Sequence, residues 1–105
     1  MNITSKQALV LDALGNAVRR DMLGKLASRP HSVSELGAYY RMSRPAVSKH
    51  LKILNIANLV QAKSVQNRNE YSLMPEGFEE ARTWLDAFWD VALNRLAMVA
   101  ENSED

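Results

Sequence analysis

The sequence predicts a mainly α protein with one small β-hairpin, in the order α-α-α-α-β-β-α, on three observations. Apolar residues recur at threes and fours through residues 7–56 and again from residue 76 onward, whereas Val60, Ala62, Ser64, Tyr71 and Leu73 alternate. Two helix-starting serines, Ser32 and Ser43, stand close enough together to mark two short helices joined by a tight turn. A chain of 105 residues has room for one modest core, so residues 1–105 are read as a single domain. Its 47% hydrophobic and 24% charged residues suit a folded globular protein rather than a disordered or membrane-spanning one.

The elements follow in order. Residues 7–14, "QALVLDAL", form a helix with more apolar surface than one core stripe requires, ending at Gly15. Asn16 caps the next helix, whose Val18, Met22 and Leu26 face the core until Arg29-Pro30 stops it. "SVSE" at 32–35 has the form of a capping box, predicting about two turns through "VSELGAYY". Gly37 within them would let a second helix come close. Ser43 then caps a further helix that tolerates Pro45 in its first turn. Asn67 and Asn69 accept positive φ better than most residues and make the hairpin tip feasible without glycine. From Glu76 one long helix carries Phe78, Ala81, Leu85, Phe88, Ala92, Leu96 and Val99 on a stripe, with Trp84, Trp89 and Val91 off it. Such a helix is expected to be covered twice, by its own core and by another subunit. "ENSED" reads as an acidic tail.

The formal net charge of +1 conceals a sorted distribution. Residues 36–69 hold six basic side chains and no acid, while residues 70–105 hold two basic side chains against nine acids. Within the basic segment, "RPAVSKHLKIL" places Val47, Leu51 and Leu54 on one side of a helix and Arg44, Pro45, Ser48, Lys49 and Lys52 on the other. In a winged helix-turn-helix the second helix of the pair enters the major groove and meets base edges with its N-terminal residues. Arg44, Pro45, Ser48 and Lys49 are so placed; Lys52, a turn later, meets phosphate. Lys63 and Arg68 on the hairpin would track the backbone or reach the minor groove.

These stretches resemble the ArsR/SmtB family of bacterial winged-helix transcriptional repressors. The resemblance runs from "LDALGNAVRRDMLGKL" through "HSVSELGAYYRMSRPAVSKHLKIL" and "ANLVQAKSVQNRNEYSLMPEG" to the terminal helix. It implies a homodimer that binds near-palindromic double-stranded DNA and is released by an effector. Arg44, Pro45, Ser48 and Lys49 would then read bases, and Arg68 would be the wing-tip contact. The first and last helices would dimerise, through Leu9, Leu11, Phe88, Trp89, Ala92 and Leu96. Metal-sensing relatives carry cysteines where this chain has Ser32 and Ser34, and histidines on the terminal helix, where this chain has Asp86 and Asp90 alone. Two exposed carboxylates would not select a borderline metal, so no metal is expected. Arg41 and Asn67 stand where relatives have glycine, which predicts positive φ at both.

His50 borders the buried side of its helix and reads as a packed or hydrogen-bonded histidine; His31 reads as a loop residue. Arg19 and Arg20 are expected to form surface ion pairs. No Ser-His-acid arrangement, cysteine or glycine-rich phosphate loop points to an enzyme, and no cofactor is expected. With no cysteine and no apolar run near the ~20 residues a bilayer demands, the expected setting is the cytoplasm without a membrane partner. A small-molecule effector of unknown identity is the remaining expected ligand. A competing reading is a winged-helix protein-interaction module that docks an acidic surface and does not read DNA.

Overall fold

The computed structural model describes residues 2–102; residues 103–105 of the expected acidic tail lie outside them. Helix α1 (Ser5–Leu14) starts earlier than the apolar pattern suggests. Thr4 and Gln7 close a capping box there, each side chain taking a hydrogen bond of 3.0 Å from the other's backbone N–H. Helix α2 (Ala17–Ser28) is capped by Asn16 as expected, its Oδ1 accepting from Arg19 N–H at 3.1 Å. Helix α3 (Val33–Gly37) carries the Ser32–Glu35 capping box, and helix α4 (Arg44–Ile56) is capped by Ser43 with Pro45 in its first turn.

Strands β2 (Val60–Val65) and β3 (Arg68–Leu73) make the expected antiparallel hairpin, with Val60 opposite Leu73 and Ala62 opposite Tyr71. A short strand β1 (His31–Ser32) joins the free edge of β3, giving the order β1-β3-β2. His31 is therefore no loop residue. It is 1% exposed, its Nδ1–H donates to the Arg29 carbonyl at 2.9 Å, and Tyr71 lies opposite it in the ladder. A carbonyl can only accept, which sets the tautomer.

Several local expectations change. Helix α3 ends at Gly37, and the chain tightens through three-residue bonds from Tyr39 and Tyr40 N–H to Leu36 and Gly37 carbonyls. Gly37 is thus terminal, and a Cβ there would meet Val47 at an ordinary 3.8 Å, so close packing does not demand glycine. Among the described residues, positive φ falls at Asn58, Gln66 and Asn67, and not at Arg41 or Asn69. The turn before α4 goes from that tightened end into extended backbone at Ser43 without a left-handed residue. The hairpin turn uses two consecutive positive-φ residues, Gln66 and Asn67, as the twist of a two-residue loop favours.

The core gathers Val10, Met22, Leu26, Leu36, Val47, Leu51, Leu54, Leu59 and Val60, with Val18 half-buried against it. After a 3-10 turn at Pro75–Phe78, helix α5 (Glu79–Asn102) leaves this core. Of its stripe only Ala81 is buried, so the expected cover from its own core stops there. The radius of gyration is 18.2 Å, against about 13 Å for a compact domain of this length.

Gly77 packs against the positive-φ Asn58: an added Cβ would sit 1.8 Å from the Asn58 carbonyl oxygen. Gly24, inside α2, has nothing within 4 Å of its Cβ position. Gly77→Ala should lower unfolding stability by about 1–3 kcal/mol, whereas Gly24→Ala should raise it by roughly 0.4–1 kcal/mol. Urea titration at one protein concentration compares them; equal effects would contradict the packing described.

Candidate nucleic-acid interface

Helix α4 has two chemically distinct sides. Val47, Leu51 and Leu54 are fully buried, while Arg44, Pro45, Ser48, Lys49 and Lys52 are all exposed. Among the described residues none of Arg44, Lys49 and Lys52 has a carboxylate within salt-bridge distance. Positive charge without internal compensation is what a polyanion meets. At the far end of α4, Asn55 Nδ2–H donates to the Val60 carbonyl at 3.4 Å, tying this helix to the start of the wing.

The wing brings Lys63 and Arg68 out into solvent. Lys63 has no ion-pair partner among the described residues, but the Arg68 guanidinium donates to Glu70 Oε2 at 2.8 Å. Residues two apart on a strand share a face, so the sequence itself carries the signal for this pair. A cleft of about 380 Å³ lies between wing and helix pair, lined by Ser32, Val33, Ser34, Arg44, Asn67, Arg68 and Asn69.

Arg19 does something the sequence did not announce. Its Nε–H and Nη2–H donate to the Ala13 and Asp12 carbonyls at 2.8 and 3.1 Å, and Arg20 Nη1–H donates to the Leu14 carbonyl at 2.8 Å. The expected surface ion pairs are replaced by caps on the last carbonyls of α1. Arg19 Nη1–H also reaches His50 Nδ1 at 3.3 Å. Arginine has no acceptor, so this Nδ1 is unprotonated and His50 is the hydrogen-bonded histidine expected. Burial, then the charges of Arg19 and Lys49, hold the His50 pKa below its ordinary 6.5. The carboxylates move the same way for the opposite reason. Hydrogen bonds from Ser32 N–H and Arg29 bring Glu35 down to about 2, and those from Lys25 and Tyr40 lower Asp21.

Of the expected dimer residues, Leu9, Phe88, Trp89 and Leu96 are exposed, Ala92 is half-buried, and Leu11 is half-buried against its own core. Trp84 stacks on Phe88 with centroids 5.5 Å apart. A second cleft, of about 400 Å³, has an apolar floor of Leu9, Val10, Ile56, Ala57 and Met74, with Lys6, Glu76, Glu79 and Glu80 among its polar lining. Among the described residues no three His, Cys, Asp or Glu side chains gather closely enough to hold a metal, and no helix is long and apolar enough to cross a membrane. The Ser32 hydroxyl is committed to the Glu35 N–H at 3.1 Å.

A helix that buries one side and offers an acid-free cationic side after a short turn, flanked by a hairpin, defines a winged helix-turn-helix DNA-binding protein. The family model described as bacterial regulatory protein, arsR family, matches residues 16–62. The HTH-type transcriptional regulator Rv2034 of Mycobacterium tuberculosis is 41% identical over 93 residues, covering 89% of this chain and 87% of the relative. The solved ArsR-like transcriptional regulator from Rhodococcus sp. RHA1 superposes with a TM-score of 0.81 at 26% identity, covering 96% of this chain and 95% of that one. A homodimeric winged helix-turn-helix domain from Mycobacterium bovis, a possible ArsR-family regulator, gives 0.64 at 25% identity, with 95% and 88% covered. The chain belongs to the ArsR family of bacterial regulatory proteins and is a DNA-binding transcriptional regulator.

Because folding disfavours protonated His50, the unfolded chain takes up that proton more readily. The stability His50 contributes is therefore complete above pH 6.5 and declines as pH falls below it. Between pH 7.5 and 5, about where neither lowered carboxylate yet titrates, the native protein should lose more stability than His50→Asn, which keeps an acceptor for Arg19 but does not titrate. Urea midpoints at both pH values read the difference; equal losses would refute it.

Proposed function

We propose that this chain works as a homodimer that represses transcription by occupying a near-palindromic operator. The observation that carries this reading is the exposed, acid-free side of α4. Arg44, Pro45, Ser48 and Lys49 meet base edges, and Lys52, Lys63 and Arg68 meet phosphate. Dimerisation uses α1 and α5: Leu9, Phe88, Trp89, Ala92 and Leu96, with Leu11 behind them. Trp89 and Leu96 are 56% and 64% exposed, and eight large apolar side chains of α5 are exposed, more than one chain's surface ordinarily leaves wet. A two-fold protein pairs with half-sites about one duplex turn apart, roughly 34–36 Å, or a multiple.

The proposed effector is a small molecule in the 400 Å³ cleft, which touches the dimerising helices and the end of α4 at once. A ligand that binds one arrangement of these helices better than another shifts DNA affinity by that difference. DNA as partner makes the cytoplasm the place of action.

Selection from a random duplex pool at near-physiological salt should return a near-palindrome; recovery of unpatterned sequence would refute specific reading. Lys52→Gln should weaken all duplexes alike and flatten the salt dependence by about 0.9 per half-site. Lys49→Ala should instead cost about 1–3 kcal/mol at one base position. Leu96→Glu should yield monomers in sedimentation and abolish tight operator binding; an unchanged dimer would exclude the α5 interface.

A further inference from the structure

The cleft between the helix pair and the wing combines features that neither the reading helix nor the hairpin has alone. Arg44 lines it from the start of α4 and Arg68 from the start of β3, so two arginines from separate elements border one space of about 380 Å³. The rest of the lining is Ser32, Val33, Ser34, Asn67 and Asn69, supplying hydroxyl and amide donors and no carboxylate. A guanidinium offers its donors in a planar fork that fits two oxygens of a phosphate.

The nearest acid lies just outside that lining and is engaged. Glu70 Oε2 accepts from Arg68 Nη2–H at 2.8 Å, with the Glu70 side chain 21% exposed and the Arg68 side chain 55% exposed. In the sheet Glu70 stands opposite Lys63 on β2 and Ser32 on β1. The carboxylate is thus the better covered member of the pair, while the guanidinium remains available to solvent. An exposed ion pair of this kind is weak, and a charge-assisted bidentate pair with phosphate is stronger.

We propose that this cleft holds one phosphodiester of the bound duplex between Arg44 and Arg68, and that Glu70 occupies the Arg68 guanidinium when no DNA is present. The inference rests on the DNA-binding reading above and assigns Arg44 a different task within it. Arg44 holds the backbone, leaving bases to Pro45, Ser48 and Lys49. The wing and the reading helix then grip the same phosphate, which sets the depth at which α4 enters the groove. Glu70 lowers affinity for every duplex alike, because the guanidinium must be exchanged before the phosphate can be held.

The test uses the full chain and the duplex recovered by selection, with single linkages replaced one at a time by uncharged methylphosphonate. One position per half-site should weaken the native protein about tenfold, and at that same position Arg44→Ala and Arg68→Ala should each respond by less than about twofold. Arg44→Ala should leave the base preference intact. Glu70→Gln should tighten binding about two- to fivefold in the native background and leave Arg68→Ala unchanged; an equal gain in both backgrounds would mean a general charge effect and overturn the role of Glu70. Different sensitive positions for the two arginines, or loss of base preference in Arg44→Ala, would overturn the shared phosphate. Inorganic phosphate should displace DNA no better than chloride at matched ionic strength; stronger competition would reassign the cleft to a free anion. A native protein that binds no duplex at all refutes the DNA-binding reading itself, an outcome separate from each of these.

Discussion

Everything outward-facing on α4 depends on what that helix buries. Val47, Leu51 and Leu54 are each 0% exposed, and burying such a side chain is worth about 1.5–3 kcal/mol. Turning α4 by a single residue, about 100°, would lift part of this triplet into water and drive Ser48 or Lys52 toward the core. The cost would exceed anything a few phosphate contacts return. The direction in which Arg44, Ser48, Lys49 and Lys52 point is therefore decided by apolar packing before any DNA arrives. Ser43 starts the helix at the right residue, and Arg19, bonded to His50 and to the last carbonyls of α1, braces its middle.

The wing is held to that frame from two sides. At its base Leu59 and Val60 are buried in the common core. At its edge, β1 pairs with β3 and runs directly into the Ser32 cap of α3. A hairpin alone is barely stable in water, and this one gains a third strand and a fixed position relative to the helix pair. The Ser32 hydroxyl that starts α3 belongs to a residue laddered to Glu70, so helix cap and wing are set by one residue. That shared residue fixes the start of α3 against the wing along one side of the cleft.

What the sequence disclosed divides along the range of the interactions. The caps at Asn16, Ser32 and Ser43 act within three residues and were legible, as was the hairpin, whose alternation is local. Strand β1 was not, because two residues have no period and exist as a strand only through β3. The burial of His31 depends on the same pairing and has no local signal either. Arg19 looked like a surface cation because its partners are backbone carbonyls and a histidine far along the chain, none of which carries a sequence signature. The cationic side of α4 was visible because absence of acid is itself a sequence property. The acid that matters to Arg68 is hidden by that same property, because Glu70 is the first residue past the acid-free segment.

Charge sorting also has a consequence at distances longer than any single contact. Helix α5 is about 36 Å long, longer than either the 25 or the 22 Å cross-section, so it runs at least in part along the 67 Å dimension. It carries Glu79, Glu80, Asp86, Asp90 and Glu101 against Arg82 and Arg95. At physiological salt, charges separated by more than about 8 Å are largely screened from one another. The acids toward the far end of α5 therefore cannot cancel the cations of α4 and the wing, and the near-neutral total describes neither end. Attraction for a polyanion is therefore concentrated at α4 and the wing, and like-charge repulsion at the acids of α5. That contrast acts before any base is read, and it needs no residue beyond those that the chain's own sorting of acids and bases supplies.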